Sequence, residues 1–186
     1  LAICSDGTVY KNINKTYMVR KIEKRLKRLQ KQVSRKYEKN KKGKEYVKTK
    51  NIIKLEKQIQ QVHRRLANIR NNYLHQTTTN IVKTKPYRVV IEDLAVSDMM
   101  KNKHLSDAIR KQGFSEFRRQ LEYKCNFRGI KFVVADRFYP SSKSCSQCGK
   151  IKKDLKLKDR VYKCSCGLNI DRDLNASINL SKYKSA

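Results

Sequence analysis

Apolar residues recur along this chain with two distinct periods. Met18, Ile22, Leu26, Leu29, Val33 and Tyr37 lie 4, 4, 3, 4 and 4 residues apart, and Lys and Arg fill the positions between them. That spacing is one face of a helix, predicted over residues 16 to 37. The stretch EKNKKGKEY, residues 38 to 46, interrupts it with a charge run and Gly43. A second helix is predicted from about residue 47 to about residue 83. In it Ile52, Leu55, Ile59, Val62, Leu66, Ile69 and Tyr73 alternate 3 and 4 apart, a heptad seam. Two helices with one apolar stripe each are expected to fold back as an antiparallel hairpin. The stripe is packing, not a cofactor site. The outer faces form a wall of cations, and His63 and His75 are read as surface or packing residues.

Beyond Pro86 the period changes. YRVVIEDL, residues 87 to 94, is a short β-branched run ending in carboxylates, predicted as a buried strand. A polar loop is expected next, then one helix from about Leu105 to Phe127 with Ile109, Phe114, Phe117, Leu121 and Cys125 on its apolar face. Gly129 ends it. IKFVVAD, residues 130 to 136, reads as a second strand ending in an acid. A last helix is expected from Asp171 to about Tyr183. At the other end, LAICSDGTVY reads as a hairpin turned at Asp6-Gly7. Strands alternating with helices predict an α/β domain, and 186 residues allow one such domain carrying a small inserted module.

Charge narrows the partner. The formal net charge is +30, from 46 Lys and Arg against 16 Asp and Glu. Such an excess repels itself, and a polyanion relieves it. Nucleic acid fits best, because cations that meet its regular phosphates release condensed counterions. A membrane surface is the rival. Against it, the chain has no apolar run of about 18 residues and no signal peptide, so a soluble, cytoplasmic protein is expected.

The cysteines add a site. Cys145-x2-Cys148 and Cys164-x-Cys166 have 15 residues between them, and each pair is followed at once by a glycine, Gly149 or Gly167. Two such turns can direct four thiolates at one zinc ion. Four thiolates leave the ion no open position, so the zinc is structural. A disulfide pair or an iron–sulfur cluster are the other readings of the spacing. The loop between the pairs, KIKKDLKLKDRVYK, suits a phosphate backbone. Cys4 and Cys125 read as buried thiols.

Carboxylates gather at element ends. Glu92 closes one strand, Asp136 the other, and Asp171 and Asp173 open the last helix. Sites of open α/β sheets lie outside the carboxyl ends of strands. Clustered acids need cations, and Mg²⁺ binds one or two carboxylates together with phosphate oxygens. Each acid also has a plainer role. Asp171 could cap the helix, Asp93 could sit in a turn, and Asp136 could pair with Arg137 or a lysine. Glu92, after Val89-Val90-Ile91, is costly there without a partner.

VVIEDL, FRRQLEYK, FYPSSKSCSQCG and YKCSCGLNIDRDLNASINL together resemble the C-terminal half of TnpB, the OrfB-type transposon-encoded proteins similar to the nucleases of type V CRISPR effectors. The resemblance implies a RuvC-like nuclease core of RNase H fold, incomplete at its N-terminus, with a long helical hairpin and an inserted zinc ribbon. The expected division is residues 1–138 as core, 139–170 as ribbon and 171–186 as the core's terminal helix. It implies DNA cleavage by Mg²⁺, guided by RNA, with DNA and guide RNA as partners. Of the family's three acids, the second matches Glu92 and the third matches Asp171 or Asp173. The zinc ligands match Cys145, Cys148, Cys164 and Cys166. The first acid lies in a D-x-G motif before the segment matched by LAICSDG, so the chain is expected to be a fragment or remnant that is inactive alone. The alternative reading is a non-catalytic zinc-ribbon nucleic-acid binder that regulates a mobile element.

Overall fold

The computed structural model describes residues 1–156 and 158–184. Leu157 in the lysine-rich loop, and Ser185 and Ala186 at the end of the expected terminal segment, lie outside the described residues. The chain opens with an antiparallel pair, β1 (Ala2–Ile3) and β2 (Val9–Tyr10). Asp6 shapes the turn between them by accepting the Thr8 N–H at 2.8 Å. The next elements are α1 (Tyr17–Lys39), β3 (Lys41–Lys42), β4 (Glu45–Tyr46) and α2 (Lys50–Lys83). Then come β5 (Arg88–Glu92), α3 (Val96–Lys101), α4 (Ser106–Gln112), α5 (Phe114–Phe127) and β6 (Lys131–Ala135). The chain closes with β7 (Val161–Lys163), β8 (Asn169–Asp171) and α6 (Arg172–Ser181). It divides into two compact units, Asn12–Tyr73 and Leu1–Lys11 with Leu74–Ala186.

The first unit is the helical hairpin. Val19, Ile22, Leu26 and Leu29 of α1 are buried with Val62 and Leu66 of α2, and Ile13, Leu55, Ile59 and Ile69 pack against them. Each such side chain taken from water contributes roughly 1.5–3 kcal/mol. Polar contacts fix the antiparallel sense. At one end the Tyr37 hydroxyl donates to Glu56 Oε1 at 2.7 Å. At the other, Arg70 donates to Asn14 Oδ1 at 2.7 Å and to Glu23 Oε1 at 2.9 Å. Thr16 caps α1 by accepting the Val19 N–H, and Thr49 accepts the Ile52 N–H as α2 begins. One seam position differs from expectation. Met18 is 48% exposed, and Val19 takes its place in the core. Both spacings, 4, 4, 3 from Met18 and 3, 4, 3 from Val19, are compatible with a turn of about 3.6 residues, so periodicity alone does not choose between these two neighbours. The charge run is not structureless either, since Lys41–Lys42 and Glu45–Tyr46 pair as a short ribbon.

The second unit is α/β. β5 and β6 pair in parallel, from Arg88 opposite Lys131 to Glu92 opposite Ala135. Val82 at the end of α2, Val89, Leu121, Cys125 and Ile130 form its buried core, with Ile81, Ile91, Phe117 and Phe132 against it. α5 packs on β6 and α6 on β5. β5 is less enclosed than a buried strand, as only Val89 in it is buried. The expected polar loop contains α3, and the single helix expected over 105–127 is two helices. Gly113 makes the break with φ 68°, in the left-handed region, and a Cβ there would meet Leu74 Cδ1 at 3.1 Å. No helix among the described residues is long and apolar enough to cross a membrane.

Candidate functional site

The cysteine segment folds through local backbone turns. Gly149 N donates to Cys145 O at 2.9 Å, and Gly167 N donates to Cys164 O at 3.1 Å. Both glycines have positive φ, 76° and 94°, which lets each turn close behind its thiol pair. Ser144 bridges Ile151, and β7 pairs antiparallel with β8. Tyr162 is fully buried and donates from its hydroxyl to Lys143 O at 3.0 Å. The four sulfurs lie within 4.8 Å of one another, with Cys145 and Cys166 at 3.6 Å and Cys148 and Cys164 at 3.6 Å. A disulfide needs about 2.05 Å. Four ligands about 2.3 Å from a tetrahedral ion stand about 3.8 Å apart. The donor set therefore fits one metal ion and not a disulfide pair. Crowding also ionises the thiols unevenly. The Cys166 backbone N–H, the largest cause, brings the Cys164 thiol down to about 6. Cys166 is pushed up to about 12, because burial and the neighbouring thiols outweigh the Leu168 N–H that favours its thiolate. Negative charge gathered in this way is relieved by a cation.

α6 clamps the first cysteine turn. Asn175 is fully buried, accepts the Ser146 N–H at 2.9 Å and donates to Ser144 O at 2.7 Å. Asn179 donates to Ser141 O and Ser144 O, both at 2.7 Å. Lys182 Nζ donates to Ser146 O at 2.6 Å. One helix face thus satisfies several backbone groups of the turn that carries Cys145 and Cys148. Nothing in the apolar periodicity of the last helix signals this role, although the pair of asparagines four apart could have done so.

The same helix brings an acid to a cavity of about 1050 Å³, whose wall includes Glu92 and Asp173. Glu122 and four arginines, Arg118, Arg119, Arg137 and Arg172, line it as well. Glu92 Oε1 accepts the Ser141 hydroxyl at 2.7 Å. Asp173 Oδ1 lies 3.5 Å from Arg172 Nη2. Asp171 is used differently. Its Oδ1 accepts the N–H groups of Asp173 at 2.9 Å and Leu174 at 3.0 Å, which makes it the N-cap of α6, and it is not among the residues that line the cavity.

The remaining acids do not converge with these. Asp93 and Asp136 lie on a separate, smaller cavity of about 480 Å³. Asp93 is a double ion-pair acceptor, for Arg118 at 3.1 Å and Arg137 at 3.0 Å, more than a turn residue. Asp136 does not pair with Arg137; its Oδ1 accepts the Phe138 N–H at 2.7 Å. Arg118 and Arg137 line both cavities. Arg118 and Glu122 stand in FRRQLEYK and Ser141 in FYPSSKSCSQCG, but nothing in those strings says that folding brings them to the acids. His63 and His75 are exposed, Cys125 is buried, and Cys4 is half-buried.

The fold of the chain has known counterparts. A Cas12f1 in a cryo-EM complex with sgRNA and target DNA shares the fold, with a TM-score of 0.55 at 23% identity over 69% of this chain and 38% of that one. Residues 1–103 match the OrfB_IS605 family, described as "Probable transposase", and residues 114–180 match the Cas12f1-like TNB domain. The chain belongs to the OrfB_IS605 family, the TnpB-type proteins that its motifs resemble. Two curated relatives carry the name "Putative RNA-guided DNA endonuclease". The one from Streptomyces pristinaespiralis is 41% identical over 70% of this chain and 32% of its own length. InsQ of Escherichia coli strain K12 is 35% identical over 97% of this chain and 45% of its own length. The chain thus spans less than half the length of these relatives.

Proposed function

We propose that this chain supplies the metal-dependent cleavage centre of a TnpB-type, RNA-guided DNA endonuclease, built on a RuvC-like core with a zinc ribbon. DNA and a guide RNA are its partners, and the cytoplasm is where it meets them. The observation that carries the reading is the shared cavity wall of Glu92 and Asp173, with arginines around it. On this reading Glu92 and Asp173 hold Mg²⁺, and Cys145, Cys148, Cys164 and Cys166 hold a structural zinc. Asp173 is preferred to Asp171 because the Asp171 carboxylate is occupied with two backbone N–H groups. When bound, the divalent cation polarises a phosphodiester oxygen and activates a water. The protein's own part is to present carboxylate oxygens on one wall and guanidinium groups on another. Arg118, Arg119 and Arg137 draw the phosphate in and keep it against the acids. The net charge of +30 supplies the longer-range attraction to the nucleic acid.

The 186 residues alone are expected to cleave weakly or not at all, so the test is plasmid cleavage in Mg²⁺ by a version extended to the length of its relatives and co-expressed with RNA from the mobile element. Cleavage is expected, and Glu92→Ala is expected to abolish it while nucleic-acid binding in a gel-shift assay persists. Cleavage by Glu92→Ala at the original rate overturns the assignment. Tight binding with no cleavage by either protein leaves the non-catalytic binder in its place.

A further inference from the structure

We infer that Ser141 is a positioning residue for Glu92, and that through it the cysteine turn sets the geometry of the carboxylate site. The inference rests on the proposed metal-binding role of Glu92. Ser141 is buried, yet its hydroxyl reaches the exposed Glu92 carboxylate at 2.7 Å. Its carbonyl accepts from Asn179 Nδ2 at 2.7 Å, and that amide also donates to Ser144 O, one residue before Cys145. Two more bonds close the frame. Ser144 O accepts from Asn175 Nδ2 at 2.7 Å, and the Tyr139 hydroxyl donates to Asn179 O at 3.2 Å. Asn175 and Asn179 stand on the helix that bears Asp173. The two acids are 81 positions apart in the sequence, at 92 and 173, but are tied to one frame: Asp173 by its helix, and Glu92 by a serine that this helix holds.

The physical argument concerns what holds a carboxylate still. Glu92 closes a two-stranded parallel pair and is exposed. A glutamate has three rotatable side-chain bonds, so without a partner it samples several rotamers there. A hydroxyl anchored by a buried backbone contact selects one rotamer. A carboxylate offers about four lone-pair sites, so a single donor on Oε1 leaves capacity for a cation. Hydrogen-bond partners of metal-ligating side chains typically change affinity by about 10–100-fold when removed.

The probe is Mn²⁺, titrated into the zinc-loaded chain and followed by the loss of the free-ion signal in electron paramagnetic resonance. Ser141→Ala is expected to weaken Mn²⁺ binding by about 10-fold, near the lower end of that range. Zinc content and melting temperature are expected to stay close to those of the unaltered chain. Ser141→Thr, which keeps the hydroxyl, is expected to restore binding, a rescue that a merely structural role would not produce. Unchanged affinity in Ser141→Ala, with binding lost in Glu92→Ala, overturns the positioning role and leaves the metal site intact. Binding that ignores Glu92→Ala, or no binding by the unaltered chain, overturns the carboxylate reading and this inference with it.

Discussion

The four cysteines and the carboxylates differ in how the chain assembles them. The thiols come from two short turns, and all four meet within 4.8 Å. The acids come from the ends of separate elements, and no group of three comparably close carboxylates occurs among the described residues. Local hydrogen bonds, such as Gly149 N to Cys145 O, shape the turn that carries each thiol pair. Asp136 and Asp171 are held by N–H groups of their own neighbours, but Glu92 and Asp93 have no such local device. Each of those two is steered by partners supplied by the folded unit: Ser141 for Glu92, and Arg118 and Arg137 for Asp93. A site built from turns can be recognised in the chain and fails as one piece. A site built from element ends depends on its supports and fails by degrees.

Removing the ion from the thiols is the severest way to probe this contrast. Cys148→Ser, or chelation, is expected to melt residues 144–170 as one block, read by hydrogen exchange and metal content. The binding energy of such sites in small finger peptides is about 10–16 kcal/mol. Loss of only the altered turn, with the other still protected, breaks the idea of a single piece. Next, Glu92→Ala and Asp173→Ala are each expected to lower cleavage by more than about 100-fold, above the range for residues that only support a metal ligand. Asp171→Ala should be milder. As an N-cap it is expected to cost about 1 kcal/mol of stability by denaturant unfolding and to slow cleavage less than Asp173→Ala does. The reverse order for the two aspartates removes the distinction drawn between them.

The smallest effect is at Glu116, which does not line the cavity, although its partner Arg119 does. Arg119 donates to Glu116 through Nε and Nη2, each at 2.7 Å, and brings that carboxyl from 4.5 to about 2. A depressed carboxyl stabilises the fold above its unfolded value and loses that contribution as pH falls through its folded value. The stability gap between the protein and Glu116→Gln should therefore be full above pH 4.5 and close on the way to about pH 2. Partial exposure limits it to less than about 1 kcal/mol by urea titration. Zinc content should not follow it.

The same contrast explains what could be read in the sequence. The hairpin seam of Leu26, Leu29, Val62 and Leu66 was legible because a helix repeats its buried face at a fixed period. The thiol clamp was legible because its spacing and its glycines are local. Glu92 and Asp173 were legible as candidates, but their separation from Asp171, Asp93 and Asp136 was not. That depends on which oxygen meets which N–H after folding. Ser141 was legible as part of FYPSSKSCSQCG, but its role was not, because Asn179 and Glu92 reach it from elsewhere in the chain. The break at Gly113 was hidden by an apolar pattern that continues across it from Ile109 to Phe117. A single glycine in the left-handed region outweighed that periodicity.

α2 belongs to both units, and its buried residues belong to two separate cores. Val62 and Leu66 pack with α1, and Val82 packs with Val89 and Leu121. Its 34 residues are continuous in backbone hydrogen bonding, yet their protection from solvent is governed by two different sets of neighbours. Amides around Val62 should open when the hairpin loosens, and those around Val82 only when the α/β core does. The amides of one helix are therefore expected to exchange in two separate events, each set by its own core.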